Sequence, residues 1–574
     1  MLLLTRLQAS KSDSNPGSSG ALLMHKKPLV DLPELFSQSS PAVTPFNWTS
    51  VEATTDLQWQ DCYTPPLQCS RFSVPFNYSA PDQGNAAIAV IRVPSPLADT
   101  DAYKGPLFFN PGGPGGSGIA EWLGGTGAIL SATVGEEFDF VTFDPRGVNN
   151  STPALGLLKS TQDSAALIGE LDSLLDLQPD ASDTLAERLE TLRAYGAQID
   201  EYFGATNIHS TTDNVARDML GMVEAHGREK IQYWGISYGS ILGATFAAMF
   251  PDKVERLVID GVMNAHAYYN SDWAENIASG DAALESFFRH CAAAGPELCA
   301  FHHTTAEAIH ERYDALYEPV KARQVMLSDG KPLIPLVFEA TIHNMLYWPH
   351  LFSAIGELLA TFEQGVTAMF EAPPPSGDLT QSSGSLGPMI RCLDALPVTD
   401  SAEELTEWTE GVRAVTKYFP GAVEGAKMFC AGWQTNPEGS FRGPIEGETS
   451  HPMLLIGNQY DVVSPLSAAK NVSASFPGSV VLTLNVTGHT TLSRASECVN
   501  RHLREYLVNG NLPNADTVCQ ADVPNLFLPS SPLDSANGTD GGAGEDSGAV
   551  GLGAGTWGAL VGALVMGLGA VVLD

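Results

Sequence analysis

Ile231-Gln-Tyr-Trp-Gly-Ile-Ser-Tyr-Gly-Ser240 is the stretch on which the reading of the fold turns. An apolar run passes through Gly235-x-Ser237-x-Gly239 and leads into an Ala/Gly-rich segment, Ile241-Leu-Gly-Ala-Thr-Phe-Ala-Ala-Met249. G-x-S-x-G is common by chance, and alone it is compatible with a structural serine in a tight turn. Set between a strand and a helix it has a mechanical meaning. The sharp turn exposes the serine Oγ, and the glycines let helix and strand approach each other. That context predicts a nucleophile at Ser237, at the end of a strand.

Outward from this point, short apolar runs bounded by turn residues alternate with helical stretches. The runs are 87–93, 106–109, 138–143, 231–235, 254–259, 453–456 and 480–484, and helical spacing places Val215, Met219 and Met222 on one face of 214–226. Strands alternating with helices predict an α/β fold, with a mostly parallel central sheet covered on both sides. From 262 to 452 the rhythm breaks into mainly helical sequence with aromatic clusters and a Pro-rich loop at 372–377. That is too long for a crossover and predicts an inserted helical cap. The expected organisation is a disordered leader 1–45, an α/β core 46–262, an inserted cap 263–450, the C-terminal part of the core 451–527, and a spacer with a hydrophobic tail 528–574.

A serine nucleophile needs a base and an orienting acid, in the hydrolase chain order Ser, acid, His. His489, one of 13 histidines, follows the last strand run in Thr487-Gly-His-Thr490. Asp461 ends the preceding run in Met453-Leu-Leu-Ile-Gly-Asn-Gln-Tyr-Asp-Val-Val-Ser-Pro465. Asp260 is the alternative acid, with a capping or loop-bonding role as its other reading. His451 precedes a strand and falls at the wrong sheet edge. The developing oxyanion needs preorganised N–H donors. Tyr238, directly after the nucleophile, supplies one. Gly113, in Phe108-Phe-Asn-Pro-Gly-Gly-Pro-Gly-Gly-Ser-Gly118, supplies the other. This loop has neither G-K-[ST] nor G-x-G-x-x-G spacing, so it is not read as a phosphate cradle. The chemistry calls for no metal and no organic cofactor.

Composition narrows the partners. With 574 residues, 44% hydrophobic and 17% charged, the chain can bury a large core. Its 30 Lys+Arg against 66 Asp+Glu give a net charge of −36, the wrong sign for nucleic acid or an anionic membrane surface. Cys62, Cys69, Cys291, Cys299, Cys392, Cys430, Cys498 and Cys519 form an even set in loosely spaced pairs. This suits four disulfides, and no spacing matches a zinc site. N-x-S/T triplets at Asn47, Asn77, Asn149, Asn150, Asn471, Asn485 and Asn537 also favour secretion. The N-terminal residues show no recognisable signal peptide, since neither 1–6 nor 21–24 has the apolar length of one. The uncharged run 549–573 is long enough to cross a bilayer. It follows a small, polar stretch and precedes no Lys or Arg, which fits a GPI-attachment signal better than a membrane helix. The expectation is a secreted or cell-surface protein that meets a membrane only through this tail.

Taken together, these residues resemble the proline iminopeptidase and tripeptidyl aminopeptidase branch of the α/β-hydrolases, from about Phe46 to Phe527. The likeness rests on Asn110-Pro-Gly-Gly-Pro-Gly-Gly-Ser-Gly118, Phe143-Asp-Pro-Arg-Gly-Val148, Tyr233-Trp-Gly-Ile-Ser-Tyr-Gly239 and Met249-Phe-Pro-Asp-Lys-Val-Glu-Arg-Leu-Val-Ile-Asp-Gly-Val262. Toward the end, Gly488-His489, Cys498, Tyr506-Leu507, Gly510-Asn-Leu-Pro513 and Cys519 are similar to the C-terminal region of tripeptidyl aminopeptidase-like proteins. The resemblance implies a serine exopeptidase acting on peptide substrates, a cap limiting access, and a Cys498–Cys519 pair. It also implies that acidic cap residues hold the substrate ammonium, for which Asp272, Glu275 and Asp281 are candidates, with solvated helix positions as the plainer alternative. Asn149-Asn150-Ser151 and Ser240 depart from the family pattern, which usually has Gly-x-Ser and Thr there. An esterase or lipase with the same triad is the second reading, and a catalytically inactive surface protein the third.

Overall fold

The computed structural model describes residues 46–155, 184–371 and 383–528, apart from 434, 436 and 438. The leader 1–45, the loop 372–377, nearly all of the 528–574 spacer and tail, and Asn537 lie outside the described residues. The sheet is built from β1 (Ala53–Thr54), β2 (Gln60–Asp61), β3 (Gln68–Pro75), β4 (Asn85–Val93), β5 (Gly105–Asn110), β6 (Phe138–Phe143), β7 (Ile231–Ile236), β8 (Val254–Asp260), β9 (Leu454–Tyr460), β10 (Val480–Thr487) and β11 (Val518–Gln520). Their order is β1-β3-β4-β6-β5-β7-β8-β9-β10-β11, with β2 on β3. From β6 through β5, β7, β8, β9 and β10 to β11 every pairing is parallel, while β3–β4 and β4–β6 are antiparallel. The mostly parallel α/β sheet expected from the alternation is therefore what forms, and the seven apolar runs fall on β4 to β10, with 453–456 starting one residue before β9.

Every residue of β5, β6 and β7 is buried. A strand buried on both faces reads as a continuous apolar run, which is how these were legible. By contrast β3, Gln-Cys-Ser-Arg-Phe-Ser-Val-Pro, buries mainly alternate residues at the antiparallel side, so its apolar content is diluted. The Thr212–Ala225 helix buries Val215, Met219 and Met222, as its spacing required.

Between β8 and β9 the described chain is helical, including Gly280–Ala294, Pro335–Leu346, Ser383–Asp394 and Gly421–Gly432. Aromatic rings fill this region: Tyr313, Tyr317, Phe338 and Tyr418 pack together with centroids 5.3–6.3 Å apart. The cysteines pair as Cys62–Cys69, Cys291–Cys299, Cys392–Cys430 and Cys498–Cys519, leaving none free. Four disulfides mark an extracellular protein. Among the described residues no helix is long and apolar enough to cross a membrane.

Candidate active site

The strand β7 ends at Ile236 and the Tyr238–Met249 helix begins two residues later. Ser237, the single residue between them, adopts φ 57° and ψ −124°. A non-glycine residue in that region is strained by roughly 1–3 kcal/mol and persists only where its surroundings hold it. Here the Ser237 N–H donates to the Asp260 carbonyl (2.9 Å). Close approach explains the glycines on either side of the turn. A Cβ on Gly239 would lie 2.7 Å from the Asn110 carbonyl, and one on Gly112 would lie 2.7 Å from the Ile236 carbonyl and 2.9 Å from Ser237 Cβ. The Gly-rich loop therefore passes backbone to backbone over the serine. The Gly112 N–H donates to Asn110 Oδ1 (3.0 Å), whereas Gly113 N–H has no acceptor among the described residues. As first residue of its helix, Tyr238 has no intrahelical acceptor for its N–H.

Asp461 follows β9 directly, and His489 sits two residues beyond β10. His489 Nδ1 lies 2.9 Å from both Asp461 carboxylate oxygens. Asp461 also accepts the N–H groups of Val463 (3.1 Å), Ser464 (2.9 Å) and Thr490 (3.1 Å). Complete burial pushes its pKa up, but the His489 charge and these hydrogen bonds outweigh that and hold it below the usual carboxylate range. His489 Nε2 is buried and has no hydrogen-bond partner among the described residues. Ligand-free catalytic contacts are often looser than in the working complex.

Asp260 takes a different role. Burial raises its pKa to about 6, and its carboxylate accepts the Thr491 N–H (3.1 and 3.3 Å) and hydroxyl. With its carbonyl on Ser237 N–H, it ties the Ser237 turn to the loop carrying His489. His451 Nδ1 bonds the Val254 carbonyl (3.0 Å) at the start of β8, the opposite end of that strand from Asp260.

Three contacts had no local signature in the sequence. Ser464 Oγ lies 3.1 Å from His489 Nδ1. The Tyr347 carbonyl accepts the His489 N–H (2.9 Å), and its ring stands 5.1 Å from the imidazole at 67°. His343, whose pKa burial lowers to about 4, is neutral and donates Nε2–H to the Val462 carbonyl (3.0 Å). A motif cannot announce contacts that only the fold creates: Ser464 and His489 lie 25 residues apart in sequence, and the other two pairs lie more than a hundred apart.

The departures from the family pattern are accommodated. Ser240 Oγ accepts the Met263 N–H (3.0 Å). Asn150 donates through its backbone (3.0 Å) and its Nδ2 (2.8 Å) to Asp144, which also takes the Ser117 hydroxyl below the Gly-rich loop. The cap acids are engaged. Glu275 accepts from Asn264 (2.6 Å) and Asn471 (3.0 Å), and Asp281 from the Thr416 hydroxyl (2.5 Å) and the Lys417 N–H (2.8 Å). Asp272 is exposed and, among the described residues, its side chain accepts only from Trp408 Nε1 (3.3 Å). None of these contacts reaches Ser237 or His489. One His/Cys/Asp/Glu group among the described residues is compact enough for an ion, Cys498, His502 and Cys519. Its two cysteines are joined in a disulfide and offer no thiolate.

Two family models match the chain, an alpha/beta hydrolase fold over residues 105–295 and a TAP-like protein over 417–519. The chain thus combines an alpha/beta hydrolase fold with a TAP-like C-terminal region. Among curated relatives, the "Serine protease Hip1" of Mycobacterium tuberculosis is 28% identical over 486 residues, covering 81% of this chain and 91% of that one. The "Tripeptidyl aminopeptidase" of Streptomyces lividans is 26% identical over 487 residues, covering 81% and 87%. A "Carboxylesterase B" of M. tuberculosis is 26% identical over 463 residues, covering 79% and 86%. This TAP-like chain is a serine hydrolase of the peptidase type.

Proposed function

We propose that this TAP-like hydrolase is an extracellular aminopeptidase that releases short units from peptides with a free N-terminus. The observation that carries the reading is the buried Asp461–His489 pair with an unpartnered Nε2, at the same strand ends as the strained Ser237 turn. The relatives named serine protease and tripeptidyl aminopeptidase support the substrate class.

In this mechanism Ser237 Oγ attacks the scissile carbonyl while His489 Nε2 takes its proton. Asp461 keeps the imidazole proton on Nδ1 and stabilises the imidazolium that forms. The N–H groups of Gly113 and Tyr238 hold the oxyanion. Collapse of the tetrahedral intermediate breaks the C–N bond, and His489 passes its proton to the leaving amine. Water, deprotonated by the same imidazole, then hydrolyses the acyl-enzyme. The helices of 263–450 act as the cap over this site. Within it, Asp272 is the ammonium anchor best supported, since Glu275 and Asp281 are occupied.

Attachment to the cell surface through the 549–573 tail and N-glycosylation complete the proposal. Among the described sequons, Asn149, Asn150, Asn471 and Asn485 commit Nδ2 to hydrogen bonds, whereas Asn47 and Asn77 use only their Oδ1 atoms. Glycans are therefore assigned to Asn47 and Asn77.

The test compares peptidyl-aminomethylcoumarins with free and acetylated N-termini, alongside p-nitrophenyl esters. Turnover of free peptides that collapses on acetylation is expected. Equal cleavage of both overturns the requirement for a free N-terminus and with it the aminopeptidase reading, and turnover of esters alone overturns it in favour of the esterase that the Carboxylesterase B likeness suggests.

A further inference from the structure

Asp394, the last residue of the Ser383–Asp394 helix, accepts three hydrogen bonds in the interior. They come from the Thr212 N–H (2.7 Å), the Thr212 hydroxyl (2.6 Å) and the Tyr268 hydroxyl (2.9 Å). Thr212 Oγ1 is also bonded to the Tyr238 hydroxyl. All four side chains are at least 97% buried, so each polar atom depends on these partners. A threonine hydroxyl has one proton. Given to Asp394, it leaves Thr212 Oγ1 as the acceptor for the Tyr238 O–H. The chain therefore runs Tyr238 to Thr212 to Asp394, and it pins the tip of the ring whose backbone N–H follows Ser237.

The same helix meets the other donor's loop near its opposite end. A Cβ on Gly115 would lie 2.8 Å from Leu386 Cβ and 3.2 Å from the Gly387 nitrogen, so this loop is pressed against the helix two residues beyond Gly113. One helix outside the sheet thus touches the loop of one proposed oxyanion donor and reaches the other, Tyr238, through Thr212. Its own position is tied by the Cys392–Cys430 bond to the Gly421–Gly432 helix. Tyr268 joins the network from the Ala265–Tyr269 helix that follows β8, so the brace also reaches the sheet.

We propose that the Ser383–Asp394 helix sets the oxyanion hole, with Asp394 as a positioning residue that acts through Thr212 on the Tyr238 N–H. The proposal rests on Ser237 being the nucleophile. An oxyanion donor works only when aimed at the place the charge will occupy, and it contributes little to ground-state binding. Loosening the brace should therefore lower kcat and spare KM.

The experiment uses the full chain, with active sites counted by a fluorophosphonate probe and kcat expressed per labelled site. Thr212→Val, Asp394→Asn and Tyr238→Phe should each lower kcat by about tenfold or more, as expected for a misaimed donor, with KM within about twofold. Thr212→Ser should restore it. Affinity for benzeneboronic acid, whose tetrahedral adduct places an oxygen in the hole, should fall in the same proportion. Tyr238→Phe removes one hydroxyl only and keeps the test open where Thr212→Val does not fold. A wild-type enzyme that takes no fluorophosphonate at Ser237 overturns the nucleophile reading and the proposal with it. A labelled wild type whose variants keep kcat per labelled site and boronate affinity overturns the positioning role alone.

Discussion

The sheet and the helical insertion between β8 and β9 build the site by different means. The sheet presents Ser237, Asp461 and His489 on short turns at the ends of parallel strands, where backbone geometry sets each side chain. The insertion contributes none of these three groups, yet Tyr347 receives the His489 N–H, His343 holds the Val462 carbonyl beside Asp461, and Asp394 closes the chain to Tyr238. The proposed reacting groups thus reside on local turns, and their aim depends on contacts made across long stretches of sequence. Substitutions in the first region should abolish chemistry while leaving the fold intact. Substitutions in the second should degrade stability and rate together or in graded fashion.

Replacing the nucleophile is the most severe of these tests. Ser237→Ala should lower kcat by about 10⁶-fold, as loss of a triad serine does elsewhere, with the melting temperature nearly unchanged. The acid comes next. Asp461→Asn should cost about 10⁴-fold, through loss of the imidazole orientation, whereas Asp260→Asn should cost about tenfold, the scale of one loop hydrogen bond. Steady-state kinetics that rank these two the other way would move the triad acid to β8.

Within the insertion, replacing Cys392 and Cys430 by serine opens a loop with a sequence separation of 38. Chain entropy puts the stability loss at about 4 kcal/mol, readable as a shift in urea midpoint. An unchanged midpoint would mean that helix packing alone holds this part of the insertion.

The smallest effect concerns pH. Burial, partly offset by hydrogen bonds from Thr212 and Tyr268, raises the Asp394 pKa to about 7. The folded state therefore keeps a proton that the unfolded chain releases above about pH 4. Stability from this group should be greatest at acid pH and fall as pH rises toward 7. Urea midpoints at pH 5 and 7.5 should drop more steeply for wild type than for Asp394→Asn, and parallel slopes would contradict the sign.

How much of this was legible follows the same division. The seven apolar runs mark β4 to β10 because strands buried on both faces are continuous in sequence. β3 escaped because its inward residues alternate with polar ones, and β11 because an edge strand of three residues has no pattern to show. The triad candidates were readable from chain order and strand ends. Asp394 was not, since its bond to Thr212 spans 182 residues and nothing near either residue announces the other. Ser464 stood in plain sight three residues after Asp461, but only the folded turn brings its hydroxyl to His489.

Peptide mapping of the fluorophosphonate adduct addresses the central claim most directly. One probe per chain on the peptide carrying Ser237, lost in Ser237→Ala and strongly slowed in Asp461→Asn, is the predicted result. An adduct on another residue, or labelling indifferent to Asp461, would contradict it.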